Sequence, residues 1–474
     1  MGLASACALG TGTMIGAGIF ALSGEVAGAA GPAAVITYLL AGIVALLQAL
    51  SVAELASARP LSGGPYLWVR DALGRDAGFV VGWQLWLGMV LSASFYAVGF
   101  ARYLAYFLPW APEGPAAAGL LAVLAALNAA GRQAGALLQN LSVAFLVFVL
   151  GGLVLAGIPR VDTAFWSPFS PYGWAPVLGA VPLVFVSYLG FDMVAQAGGA
   201  FHRPHVTLPV AMLVSVVLVT ALYCGVVAVS TGIVFHVDLA QSPTPLAEVA
   251  RRLVGRPGGL VVAAGGLVAT LSSANGVFIA VSELGQAMVA DGMLPRWLAN
   301  VPARSPVAAR SGHSSAAGPL EVFARVRAGR SHLLLGTLAG LVALVGGATG
   351  AIEQLARGTG LLHVLPFVLM PVALAAVRRS PSHRPAFRAP FGPVIPALAM
   401  GSMLVVLRQA TAAEVVTAGG LTLLGLAWYM RERRPRLPGR PAGPGAWLAG
   451  GPDARSRSQT PGLPGAGAWG RRPR

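Results

Sequence analysis

The sequence predicts an all-α polytopic membrane protein with twelve transmembrane helices, on three observations. Of its 474 residues, 56% are hydrophobic and 10% charged, whereas an ordinary soluble domain carries about 25% charge. Apolar stretches bounded by Gly, Pro and Arg recur along the chain, and twelve helices of about 20 residues use roughly half of it, leaving short loops. Arginine is distributed unevenly around those stretches, in the manner of cytoplasmic loops. A water-soluble enzyme is thereby excluded, and no large soluble domain is left over.

The spans fall at 3–22, 32–58, 77–107, 116–130, 135–158, 174–199, 207–234, 258–290, 333–348, 355–377, 391–409 and 412–430. The first apolar run starts at Gly2 without the basic region that opens a secretory signal, so it reads as a membrane segment, with a short cytoplasmic lead-in absent or missing. With the N-terminus inside, 25 of the 32 arginines lie in inner loops or after Met430. The even number of spans then places both termini in the cytoplasm and the chain in the cell membrane as a multi-pass protein. Residues 1–430 form one domain. Residues 303–332, rich in Ser, Gly and Arg, form a cytoplasmic insertion with interfacial helix around Glu321–Arg327. Residues 431–474 hold 10 Arg, 8 Pro and 9 Gly and cannot bury a core, which predicts a disordered cytoplasmic tail.

All basic side chains except histidine are arginine, and the formal charge is +16. An Arg-rich tail is able to touch anionic lipid or nucleic acid, but the positive-inside bias of a GC-rich gene accounts for it, so the lipid bilayer is a partner and nucleic acid is not. Cys7 and Cys224 lie in apolar runs and provide no disulfide framework. Of seven histidines only His363 lies well inside a span, and none has metal-ligand spacing. No metal or cofactor is expected.

Function is carried by two irregular helices. In the first span, Gly10, Gly12, Gly16 and Gly18 crowd the run Gly10-Thr-Gly-Thr-Met-Ile-Gly-Ala-Gly-Ile-Phe20. Each glycine costs a helix interior about 1 kcal/mol relative to alanine, so unwinding is cheap there. Non-helical backbone at membrane depth persists only where protein or a watery cavity satisfies it. The sixth span has a second irregular stretch, Ser187-Tyr-Leu-Gly-Phe-Asp192, followed by Gly198-Gly199. Paired interruptions in equivalent halves are the sequence mark of a transporter's central site. Free N–H groups at Ala17 and Gly18 would hold a carboxylate, and free carbonyls near Met14, Val186 and Leu189 would accept from an ammonium, so such a site reads a zwitterion. The competing explanation is close helix packing through Gly12-x-x-x-Gly16. A nucleotide loop is excluded, because no strand precedes the glycines and no Gly-Lys-Ser/Thr follows.

These residues resemble the amino acid, polyamine and organocation (APC) transporter superfamily over about Gly2 to Met430. Gly12 to Phe20 is similar to its first-helix motif, and Ser62-Gly-Gly-Pro-Tyr66 with Gly78-Phe79 and Gly82-Trp83 to its signature around the second and third helices. Gly190-Phe191-Asp192 with Pro204 and Pro209, Met288 with Asp291-Gly292 and Leu294-Pro295, and Pro385-x-Phe387-Arg388-x-Pro390 follow in the family's order. The resemblance implies a LeuT-type fold of 5+5 inverted repeats with discontinuous helices 1 and 6, and secondary active uptake or exchange of amino acids by alternating access. It implies substrate contacts at Met14, Ile15, Gly16, Ala17, Gly18, Val186, Ser187, Leu189 and Ser273. Phe191 is a candidate gate, against ordinary packing.

Departures from the family bear on coupling. The positions where many relatives carry an acidic pair are Gly199 and Ala200 here, and an arginine common in the eighth helix corresponds to Glu283, which suggests a charge swap across one intracellular gate. The lysine of some proton-coupled relatives matches Leu146, so a lysine-switched cycle is unavailable. That leaves Asp192 for proton coupling, with capping of nearby N–H groups as its structural alternative. Sodium coupling would use first-span carbonyls with Ser272 and Ser273, whose alternative is bonding within their own helix. Exchange without an ion is the third option. Glu25 and Glu54 near span ends read as structural, and Trp83, Trp86 and Tyr96 as packing or pathway lining.

The predicted function is therefore secondary transport of an amino acid, most plainly a small neutral one, since the walls are small and apolar. A polyamine or organic-cation exchanger is the alternative within transport, and a non-transporting sensor the alternative outside it. A membrane-embedded enzyme is disfavoured by the scarcity of acidic and histidine ligands. The oligomeric state is not legible.

Overall fold

The computed structural model describes residues 2–60, 63–129, 136–196, 201–295, 319–380 and 383–432, without side-chain surroundings for 136–139, 196, 282, 319–332 and 432. No strand occurs among the described residues. Helices α1 (Leu3–Met14) and α2 (Ala17–Ala30) are two halves of one apolar stretch, followed by α3 (Ala34–Ala58), α4 (Gly64–Leu73), α5 (Arg75–Ala105), α6 (Glu113–Ala129) and α7 (Ala136–Gly157). A second interrupted stretch comprises α8 (Trp174–Gly179), α9 (Val181–Phe185) and α10 (Phe191–Gln196). The chain continues through α11 (Pro204–Ile233), α12 (His236–Gln241), α13 (Pro245–Val254), α14 (Arg256–Ala290), α15 (Pro319–Thr349), α16 (Ile352–Val377), α17 (Val394–Arg408) and α18 (Ala412–Glu432).

Eight of the described helical stretches are long and apolar enough to cross a bilayer, the first of them, Leu3–Ala58, being long enough for two crossings. Glu113–Ala129, Leu333–Thr349 and Val394–Arg408 are shorter apolar helices. The molecule is an all-helical, multi-pass membrane protein. Low charge and long apolar runs produce these helices because in lipid each backbone N–H must be paired within its own segment.

The broken segments lie side by side and antiparallel: α1 packs on α10, whereas α2 packs on α9 and on the 3-10 turn that follows it. Both interruptions therefore sit at one level. Around them stand α11, which packs on α1 and α3, and α14, which packs on α5, α7 and α1.

Three boundaries differ from the sequence reading. The first span, expected to end at 22, continues to Ala30, because Gly24 and Gly28 are compatible with a buried helix packed closely on α12. The stretch after α11 forms α12 and the amphipathic α13, whose Leu246, Ala247, Val249, Ala250 and Leu253 are buried. The helix expected around Glu321–Arg327 is the start of α15, which runs unbroken to Thr349. Residues 303–318 of the expected insertion and 433–474 of the expected tail lie outside the described residues.

Candidate functional site between two broken helices

The first helix ends by exhausting its regular bonds. Ile15 N–H still reaches Thr11 O (2.9 Å), but Gly16 N–H turns back to Met14 O (2.8 Å). With φ −74° and ψ 85° at Ile15, this is an inverse γ-turn. Gly16 is extended (φ −135°, ψ −149°), offers no side-chain cap, and α2 restarts at Ala17. The carbonyls of Gly12 and Thr13 thereby leave regular pairing, and Ser273 Oγ of α14 lies 3.4 Å from each.

The second helix tightens into a 3-10 turn at Val186–Tyr188, then opens at Leu189 (φ −62°, ψ 137°). Leu189 N–H donates to Val186 O (3.2 Å). Gly190 has φ 129°, a conformation side-chain-bearing residues avoid. Phe191 starts α10, and Asp192 Oδ1 accepts the N–H of Gly190 (3.2 Å). The Asp192 carboxylate thus caps the restart, and it also lies within electrostatic range of Tyr96 and His363.

Two side chains lie between the breaks. Thr13 Oγ1 donates within α1 to Leu9 O (2.8 Å) and lies 3.1 Å from Gly190 O, and Tyr223 Oη of α11 lies 2.8 Å from Met14 O and 3.3 Å from Ser187 O. A methyl group added at Gly18 would stand 2.5 Å from Ser187 Cα, so the start of α2 and the second break are in direct apposition. The hydroxyls of Ser187 and Tyr38 are both buried there.

Met14, Ile15, Gly16, Ala17, Gly18, Val186, Ser187, Leu189 and Ser273 are all buried, and the fold brings them to these two breaks. Ser272 adjoins Ser273 on α14 and is also buried. Met14 O already accepts from Gly16 and Tyr223, and Val186 O from Leu189. Phe191 is fully buried and packs on Phe367 of α16, ring centroids 5.6 Å apart. Glu283 is half-buried on α14, ten residues beyond Ser273 and so about 15 Å further along the helix. Gly199 and Ala200, its expected counterparts in a charge swap, lie outside the described residues. Leu146 is buried on α7. Trp83 stacks between Phe79 and Trp86, which is packing, whereas Tyr96 lies against Gly16.

Sequence reasoning missed Tyr223 and Thr13. Thr13 belongs to the glycine-rich run of the first span, with nothing in its spacing to mark it. Tyr223 is the sole tyrosine of its span, and that isolation was the available signal.

The remaining motifs meet in two polar clusters. Tyr66 Oη donates to Asp291 Oδ2 (2.8 Å), Arg70 pairs with both Asp291 and Asp71, and Arg75 donates to Asp291 O (2.9 Å). Burial opposes the charge on Arg70, but the carboxylates of Asp291 and Asp71 outweigh it and hold the guanidinium above its usual pKa. Burial raises the phenol of Tyr66. In the second cluster the fully buried Glu54 accepts from Arg378 Nε (2.9 Å), Arg378 Nη2 (2.5 Å) and Ala389 N–H (2.8 Å), and lies 3.0 Å from His383 Nε2.

Known proteins share this arrangement of sequence. The family profile for amino acid permeases matches residues 1–413. The chain is 30% identical over 421 residues to the methylthioribose transporter of Bacillus subtilis, covering 84% of this chain and 85% of the relative. It is 28% identical over 448 residues to the branched-chain amino acid permease BcaP of the same organism, covering 90% and 91%. With the BcaP of Lactococcus lactis the identity is 26% over 453 residues, covering 89% and 92%. An all-helical membrane fold and a sequence matched almost end to end by transporters make this chain a member of the amino acid permease family within the APC superfamily.

Proposed function

We propose that this permease is a secondary active transporter that moves a neutral, small apolar amino acid across the cell membrane by alternating access. Twelve spans in a LeuT-type arrangement of two inverted repeats, with both termini cytoplasmic, form the frame. The observation that carries the reading is the buried restart of α2 at Ala17, whose first turn has no side-chain cap and abuts the second break. A helix N-terminus of 14 residues presents N–H donors and a positive dipole end to a carboxylate. Carbonyls of the two breaks suit the ammonium. Met14, Ile15, Val186 and Leu189 supply apolar walls, in keeping with relatives named as branched-chain amino acid permeases.

Coupling uses a proton at Asp192 or sodium at Ser272, Ser273 and the first-break carbonyls, or the cycle is exchange without an ion. Glu283 and Phe191 are proposed to act in gating.

The test is uptake of radiolabelled amino acids into proteoliposomes under imposed proton or sodium gradients. Leucine, valine or alanine should accumulate with one gradient, and amino acids should compete while their decarboxylated amines do not. Competition by the amines would support the organic-cation exchanger instead, and binding without flux would indicate a sensor.

A further inference from the structure

We infer that Tyr223 is a positioning residue of the transport cycle, its single phenolic proton passing between Met14 O and Ser187 O so that filling one break resets the other. The inference rests on the transport reading above. A phenol donates one hydrogen bond, yet this oxygen faces two acceptors, one from each broken segment, at 2.8 and 3.3 Å. The shorter distance points the O–H at Met14 O. The ring is fully buried and wedged edge-on between Tyr38 and Tyr188, centroids 5.8 and 5.4 Å away. The oxygen is therefore fixed while the O–H bond rotates.

Met14 O is one of the carbonyls offered to the substrate ammonium. An ammonium arriving there is a charged donor and displaces a neutral one. The displaced O–H has an acceptor ready in Ser187 O, in the 3-10 turn that lies against Gly18. Substrate bound at the first break is thus reported to the second through a rotating hydroxyl on α11, with no ion required.

The control is built in. Tyr103 of α5 is equally buried, but its hydroxyl donates to a single carbonyl beyond the breaks, Phe20 O (2.7 Å). In proteoliposomes, Tyr223→Phe should lower the maximal exchange rate at least tenfold while the Kd from equilibrium binding stays within threefold, and Tyr103→Phe should leave both within threefold of the unaltered protein. Equal rates for Tyr223→Phe and the unaltered protein, equal losses in the two variants, or a loss confined to Kd would each overturn the inference. Hydrogen exchange on the unaltered protein gives an answer that does not depend on a variant folding. Substrate should slow exchange in 12–16 and 186–190 together, and protection confined to 12–16 would overturn the coupling. If the unaltered protein neither binds nor moves any amino acid, the transport reading fails first; normal transport with an indifferent Tyr223→Phe rejects only this role.

Discussion

At the residue scale, two glycines set the geometry of the breaks for different reasons. Gly190 is required by its backbone, since its φ of 129° is open only to glycine and a methyl there would also stand 2.8 Å from the Thr13 backbone. Gly18 is required by proximity to Ser187. Gly190→Ala should abolish uptake and lower the melting temperature by several degrees, whereas Gly18→Ala should raise the Kd at least tenfold with a smaller effect on melting. Equilibrium binding and thermal unfolding of purified protein measure both.

His236 gives a pH dependence away from the site. Burial lowers its pKa below the ordinary imidazole value of about 6.5, and its Nδ1 is enclosed without a partner. The folded state thus binds fewer protons than the unfolded one near that pH. Its contribution is fully present above about pH 6.5 and is lost as the pH falls through the depressed folded value. The melting temperature should therefore drop more between pH 7.5 and 5.0 in the unaltered protein than in His236→Gln.

At the element scale, the motifs that looked like separate signatures are contacts between distant helices. Tyr66 on α4 meets Asp291 at the end of α14, and Glu54 on α3 holds the segment between α16 and α17. Glu54 is a structural carboxylate with several bonding partners. Replacing it leaves the Arg378 guanidinium, itself 11% exposed, without its anion, and breaking such a pair costs about 3–5 kcal/mol. Glu54→Gln should accordingly lower thermal stability more than any single loss in the Tyr66 cluster, which differential scanning fluorimetry would record.

Helix beginnings and ends were the least legible elements. Glycines and short polar side chains told where α1 and α9 stop, because local backbone preference is encoded locally. They did not foretell α12 and α13, whose buried faces exist only because α2 and α14 lie alongside.

At the scale of the whole molecule, the antiparallel pairing of α1 with α10 and of α2 with α9 brings the two breaks to one depth. Two half-helix ends then share a single buried locus. The arginine distribution predicts the orientation. Single cysteines placed at Gly2 and Arg431, in a protein lacking Cys7 and Cys224, should react with an impermeant maleimide only after the membrane is opened; labelling of intact cells at either position would reverse the assignment.

Hydropathy, charge and glycine act over a few residues at a time, so the residues alone mark a helical membrane protein of this family and the places where its helices fail. That Tyr223 reaches both failures, that Phe191 packs against α16, and that Glu54 is a clamp came from the packed helices. Those roles depend on neighbours far away in the chain: an isolated tyrosine in an apolar helix carries no mark of which carbonyls the fold will set before it.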